Sequence, residues 1–179
     1  MGNIEIVNNF MDFDDDEQQE TVETTNMLMT KVGGKDFAIP FENVVKLCQA
    51  GDIYSVPEFP DYVLGFTKVD EDNFPVIDAR RRFGMPPKDD MDRRCIVVTQ
   101  EDGMKVGILV DEAVKMRVTP VDAVTPAEKI NDEAYTRYVK GMFRRTGGSL
   151  CYVLSPKLMY SLTSGSFHAA AKYKLKKKK

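Results

Sequence analysis

The sequence predicts an all-β protein with a few short helices, and three observations lead to that class. Short segments rich in Val, Ile and Phe recur along the chain, separated by turn residues at close intervals. The pairs Gly33-Gly34 and Gly147-Gly148 stand between such segments, as in β-hairpins. Strands and helices do not alternate, which argues against a parallel α/β enzyme fold. The pattern is typical of small β-barrels and sandwiches.

The first half of the fold is predicted to contain two hairpins. Residues 26–32 and 36–40 flank Gly33-Gly34, and residues 63–69 and 74–79 flank the polar turn DEDN. Between the hairpins, Pro57 and Pro60 prevent regular structure in the segment GDIYSVPEFPDY. A short helical turn through ARRRFG is expected to follow the second hairpin and to end near Gly84.

The segment FENVVKLCQ after the first hairpin allows two interpretations. Phe41, Val44, Val45 and Cys48 recur at helical spacing and predict a short helix. The Val content also suits a strand.

The second half repeats this kind of pattern. Residues 94–100 and 105–111 are predicted strands around EDGM, a further strand is expected over Val114–Thr119, and a long connection follows. A last hairpin is expected in YVKGMFRR and SLCYVLS around the TGG turn. A short terminal helix should begin at Pro156, with Ser155 as its N-cap.

Charge is distributed unevenly over the 179 residues, although the net charge is only −3. Residues 1–26 contain eight acidic residues and no basic ones, and the chain ends in AAAKYKLKKKK. Terminal blocks of one sign are usually solvated tails. We therefore expect a disordered acidic arm over residues 1–26, a folded domain over 27–164, and a flexible lysine-rich tail over 165–179.

The residues that catalysis or metal binding would need are sparse. The only histidine, His168, adjoins the lysine tail, and no glycine-rich phosphate loop occurs. Cys48, Cys95 and Cys151 form no CxxC pair and lie in apolar contexts, which favours buried thiols. We expect no enzyme activity, no cofactor and no metal. A cytoplasmic location is expected because the start lacks the features of a signal peptide and no apolar run is long enough to span a membrane.

From Met27 to about Leu162 the chain resembles the CheW family, on several motifs in order. These are VGGKDFAIPFENVVKL, VPEFPDYVLG ending at Gly65, FPVIDARRRFG, VGILVDEAV, YVKGMFRR and LCYVLSPKLM. The resemblance implies two SH3-like five-stranded β-barrel lobes packed around a shared core. It also implies a groove and lobe ends that bind partners.

The resemblance further implies a function and partners. The chain would be a non-catalytic chemotaxis adaptor that couples the cytoplasmic tip of chemoreceptors to the regulatory domain of a CheA-type histidine kinase. It would be recruited to receptor arrays at the inner face of the membrane, with no membrane insertion and no nucleic acid. The alternatives are an adaptor for another two-component system, a CheV-like coupling module, a nucleic-acid or lipid-surface binder that uses the lysine tail, and a hydrolase that uses carboxylates.

The chain departs from the family at three positions, and at two of them the charge is reversed. Asp70 stands where the family has an arginine, Glu71 where it has a glycine, and Lys46 where it has a glutamate. One hypothesis is that Lys46 and Asp70 form a reversed ion pair that holds the partner-facing surface in place. The alternative is two independent changes at the surface.

Seven residues are predicted to contact partners. Val45, Phe66 and Val106 are further apolar candidates, although Phe66 and Val106 fit a core position better. The segment Pro75–Asp78 is expected to maintain the fold, with Asp78 as a turn or helix cap. The seven are Val44, Lys46, Gly65, Asp70 and Glu71, and a second group of Gly107 and Asp111.

Overall fold

A computed structural model describes residues 21–161. The strands of this part are β1 (Thr24–Val32), β2 (Lys35–Pro40), β3 (Val44–Gln49), β4 (Val63–Val69), β5 (Asp72–Asp78), β6 (Cys95–Glu101), β7 (Met104–Val110), β8 (Glu112–Pro120), β9 (Thr125–Pro126), β10 (Val139–Arg144) and β11 (Leu150–Leu154). The α-helices are α1 (Ala79–Arg82), α2 (Glu133–Thr136) and α3 (Pro156–Tyr160), and single 3-10 turns occupy Phe41–Asn43, Val121–Ala123 and Ala127–Lys129. Most of the acidic arm and the whole lysine tail lie outside the described residues.

The strands form two sheets, and the prediction of a two-lobed, mainly β fold is confirmed. One sheet has five strands in the order β3-β6-β7-β5-β4. The other has six in the order β8-β1-β2-β11-β10-β9, one more than predicted. The additional strand, β9, has only two residues and lies in the segment predicted as a connection.

The lobes are not consecutive halves of the chain. The five-stranded sheet comes entirely from residues 44–110, whereas the six-stranded sheet combines strands from both sides of that segment. Two parallel pairings, β5 with β7 and β11 with β2, complement the antiparallel hairpins. The second of them ties the end of the domain to its beginning.

One buried apolar cluster joins the two sheets. It includes Phe37 and Ile39 from the six-stranded sheet and Ile77, Val106 and Ile108 from the five-stranded sheet, all with no exposed surface. A buried side chain of this size contributes about 1.5–3 kcal/mol. The expected shared core is therefore present, and Val106 belongs to it.

The segment 41–49 corrects the helix prediction. After the 3-10 turn, β3 runs antiparallel to β6, and its side chains alternate between half-buried and exposed. Val45 and Leu47 fall on the exposed face. The helical spacing was misleading because this strand is at a sheet edge and buries only every second residue.

The predicted helix starts are confirmed in detail. The Asp78 carboxylate accepts a hydrogen bond from the Arg80 backbone N–H at 2.9 Å and caps α1. The Ser155 hydroxyl accepts from the Leu158 N–H at 3.3 Å and caps α3, which begins at Pro156. Such caps satisfy amide groups that have no partner in the first helical turn.

Candidate partner-binding groove

An apolar groove of about 410 Å³ runs between β3 and β8. These strands are edges of different sheets, since within the described chain β3 pairs only with β6, and β8 only with β1. The lining residues are Leu28, Phe41, Val44, Val45, Lys46, Leu47, Ala113, Val114, Lys115 and Met116. The groove thus lies where the two lobes meet.

The walls of the groove expose large apolar side chains. Val45 is 48% exposed, Leu47 49% and Met116 44%. In β3 the pleat causes this, because alternate side chains point away from the core and stay exposed. In β8 the pairing with β1 skips Val114, and Val114, Lys115 and Met116 are all exposed. A concave surface that keeps several such side chains in contact with water is typical of a protein-binding site.

Lys46 and Asp70 meet, as the ion-pair hypothesis predicted. The Lys46 Nζ donates to the Asp70 carboxylate. Lys46 belongs to β3 and Asp70 to the β4–β5 turn, so the pair links the two edge strands of the five-stranded sheet. Because Lys46 also lines the groove, the pair connects the groove wall to that turn.

The backbone at Asp70 suits an aspartate. Its φ is +55°, in the left-handed region, where Asp and Asn are tolerated better than most residues. The neighbouring Glu71 points into solvent, and its carboxylate lies 3.9 Å from the Lys68 Nζ. The turn therefore presents two acidic groups at the surface.

Gly65 lies in β4 against the backbone of the proline loop. The Tyr54 and Phe66 backbones exchange hydrogen bonds of 2.7 and 3.0 Å. A Cβ at Gly65 would lie 2.6 Å from the Tyr54 carbonyl carbon, and its φ is +138°. Only glycine fits this close approach without a shift. Beside it, Phe66 is half-buried and packs against Phe59 at 6.0 Å between ring centroids.

Asp111 joins the lobes immediately before β8. Its carboxylate accepts from the Arg80 Nε at 2.8 and 2.9 Å and from the Gly33 N–H, in the other lobe, at 2.8 Å. Burial alone would raise the pKa of Asp111, but the hydrogen bonds from Arg80 and Gly33 and the charges of Arg80 and Arg94 lower it overall. Asp111 therefore fixes the start of a groove wall.

A buried arginine that the sequence analysis missed completes this network. Arg94 is 1% exposed and donates to both Asp78 carboxylate oxygens, at 3.1 and 2.8 Å. Its Nε also lies 3.4 Å from Asp111. Asp78 is thus both the cap of α1 and half of a buried ion pair. No local pattern singles out Arg94, because it lies in a run of mixed charges.

The seven predicted contact residues occupy different places. Val44 and Lys46 line the groove, and Asp70 contacts Lys46 from the β4–β5 turn, where Glu71 follows it. Gly107 is buried in β7, where a Cβ would lie 2.7 Å from the Ile96 Cγ2. The roles of all seven toward partners stay predictions.

The remaining chemistry of the described residues is limited. Within residues 21–161, no three His, Cys, Asp or Glu side chains are grouped to hold a metal ion. The three thiols were predicted to be buried. Cys151 is buried, whereas Cys48 and Cys95 are only half-buried. No helix in this part of the chain has the length and apolar character to cross a membrane.

Comparisons with known proteins agree on one family. The model of the CheW-like domain matches residues 26–163. "Chemotaxis protein CheW" of Helicobacter pylori is 31% identical over 111 residues, which cover 60% of this chain and 67% of that protein. "Probable chemotaxis protein CheW" of Rhizobium etli is 23% identical over 127 residues, or 71% of this chain and 82% of that protein.

A solved structure has the same fold. The crystal structure of the scaffolding protein TtCheW from Thermoanaerobacter tengcongensis matches with a TM-score of 0.74 and 15% identity. The match covers 84% of this chain and 96% of that one. It includes most of residues 21–161 and thereby supports the arrangement of the two lobes.

Proposed function

The chain belongs to the CheW-like domain family and is a chemotaxis adaptor, and we propose that it joins the cytoplasmic tip of chemoreceptors to the regulatory domain of a CheA-type histidine kinase. It does so without catalysis, at receptor arrays on the inner face of the membrane. The single observation that carries the proposal is the apolar groove between two sheet edges, because it offers a preformed docking surface at the junction of the lobes.

The receptor tip binds in the groove. Val45, Leu47 and Met116 are already exposed, so a partner can cover them without opening the core. Full burial of one such side chain contributes about 1.5–3 kcal/mol before the costs of association. Replacement of one of them by a charged residue should therefore weaken binding strongly while leaving the fold intact.

The kinase regulatory domain binds beside the β4–β5 turn. This turn carries the acidic Asp70 and Glu71, and β4 is an edge strand of its sheet. Tyr54, which bridges to β4, is 66% exposed. An exposed aromatic side chain held against the same strand is a typical centre for a specific contact.

The Lys46–Asp70 pair orients one surface relative to the other. Asp70 keeps 79% of its side chain exposed, so the pair contributes only about 0.2–1 kcal/mol to stability. Its position between groove wall and turn suits a role in partner choice. The Lys46→Asp, Asp70→Lys double variant should signal better than either single variant. A double variant that signals no better than the single variants would contradict the pairing role.

Calorimetry on the full chain tests the kinase contact. We expect micromolar or tighter binding to the regulatory domain of a CheA-type kinase from the same organism, and a change in affinity with Asp70→Arg. Asp70→Asn is the matched control, because Asn tolerates the left-handed backbone and removes only the charge. If Asp70→Arg leaves the affinity unchanged, the kinase does not contact this turn. Absence of binding would refute the kinase as partner.

A further inference from the structure

The groove has an excess of basic groups as well as an apolar surface. Lys46 and Lys115 line it, and no acidic residue within 21–161 does. Lys46 already contacts Asp70, whereas Lys115 forms no salt bridge with any of residues 21–161. An occupant that is apolar and acidic would therefore complement the groove in both respects.

Such a segment precedes the domain in this same chain. Residues 4–13 read IEIVNNFMDF, with six apolar side chains and two acidic ones, and Asp14, Asp15, Asp16 and Glu17 follow directly. The segment alternates at Ile4-Glu5-Ile6, a spacing that puts the two isoleucines on one face of an extended strand. Two sheet edges border the groove and offer backbone groups to which an extended segment can pair.

The point where the described chain begins puts this segment within reach. Thr24 pairs with Pro120 at one end of β8, and Met116 and Val114 lie four and six residues further along that strand. At about 3.3 Å per residue, these side chains are roughly 13 and 20 Å away. The eleven residues from Phe13 to Thr24 span up to about 37 Å when extended.

We propose that residues 4–13 occupy the groove between β3 and β8 and must leave it before the chemoreceptor tip can bind. The arm is then an internal competitor that sets the threshold for receptor binding. Its competition with the receptor rests on the proposed function, whereas its docking in the groove does not. If the arm occupies the groove nine-tenths of the time, the apparent affinity for the receptor falls about tenfold.

Methyl NMR spectra of the full chain test the docking step. The test variant replaces Ile4, Ile6 and Phe10 by Ser, and the matched control replaces Asn8, Gln18 and Gln19 by Ser. We expect the methyl signals of Val45, Leu47, Val114 and Met116 to shift in the test variant and to stay in place in the control. Unchanged groove signals in the test variant, or shifts that depend on protein concentration and so indicate a second copy, would overturn the proposal.

Calorimetry with a soluble receptor-tip fragment tests the competition. The test variant should bind about tenfold more tightly than the unaltered chain, and the control variant should bind as tightly as the unaltered chain. Equal affinities of the test variant and the unaltered chain would overturn the competition. If no variant binds the fragment, the receptor as partner fails, and the NMR result still decides whether the arm docks.

Discussion

Replacement of Arg94 by Met should destabilise the domain severely. Arg94 and Asp78 are 1% and 2% exposed, and two hydrogen bonds join them. Met fills a similar volume but leaves the Asp78 carboxylate buried without its main partner. Removal of one member of a buried pair costs about 3–5 kcal/mol. Arg81, whose Nε lies 3.6 Å from Asp78, offsets part of this, so we expect about 3 kcal/mol.

Urea unfolding followed by circular dichroism measures the loss in the free energy of unfolding. In thermal unfolding of a chain of this size, a loss of about 3 kcal/mol corresponds to a fall in Tm of about 6–12 °C. Arg93→Met is the matched control: the Arg93 side chain is 84% exposed, and its Nε lies 3.8 Å from Asp90, so its loss should cost under about 0.5 kcal/mol. Equal stability of Arg94→Met and Arg93→Met would refute the claim that the buried Asp78 carboxylate needs the Arg94 guanidinium as its partner.

Three further predictions concern single positions. Gly65→Ala should lower stability to urea by about 2 kcal/mol or more, because its Cβ overlaps the Tyr54 backbone, whereas Gly148→Ala, with open space around it, should cost less. Asp111→Asn should be less stable than the unaltered chain at pH 7. The difference should shrink as the pH falls below about 3.9, because the pKa of Asp111 is lowered in the fold and its carboxylate stabilises the fold only while it is ionised. Burial raises the pKa of Cys151 to about 12, so its thiol should react with a disulfide reagent at pH 8 only after unfolding. Equal costs of Gly65→Ala and Gly148→Ala would contradict the first prediction. A difference between Asp111→Asn and the unaltered chain that does not change with pH would contradict the second, and prompt reaction of Cys151 in the folded protein would contradict the third.

Local patterns in the sequence were enough for the strands and caps. Alternating and β-branched segments predicted the hairpins, and Ser155 and Asp78 were recognised as caps because capping depends on neighbours in the chain. The same reasoning failed at Val44–Gln49. There the strand's edge position, which is a tertiary property, decides which side chains are exposed.

Long-range contacts were harder to predict. Nothing local indicates that β11 pairs in parallel with β2, or that Arg94 reaches Asp78 across sixteen positions in the chain. The Lys46–Asp70 pair was predicted only because two reversed charges stood at matching places in a family pattern. The groove itself needs β3 and β8 side by side, and they belong to different sheets.

Recruitment of the kinase to receptor-bearing membranes requires that the chain bind the receptor and the kinase at the same time. A CheA-type kinase is sedimented with such membranes in the presence of the unaltered chain or of Val45→Glu, whose exposed position in the groove wall should spare the fold. We expect the unaltered chain to bring the kinase down with the membranes, and Val45→Glu to fail to do so while still binding the kinase in solution. Equal recruitment by both chains, or none by either, would contradict the proposal that this chain joins receptor and kinase through the groove.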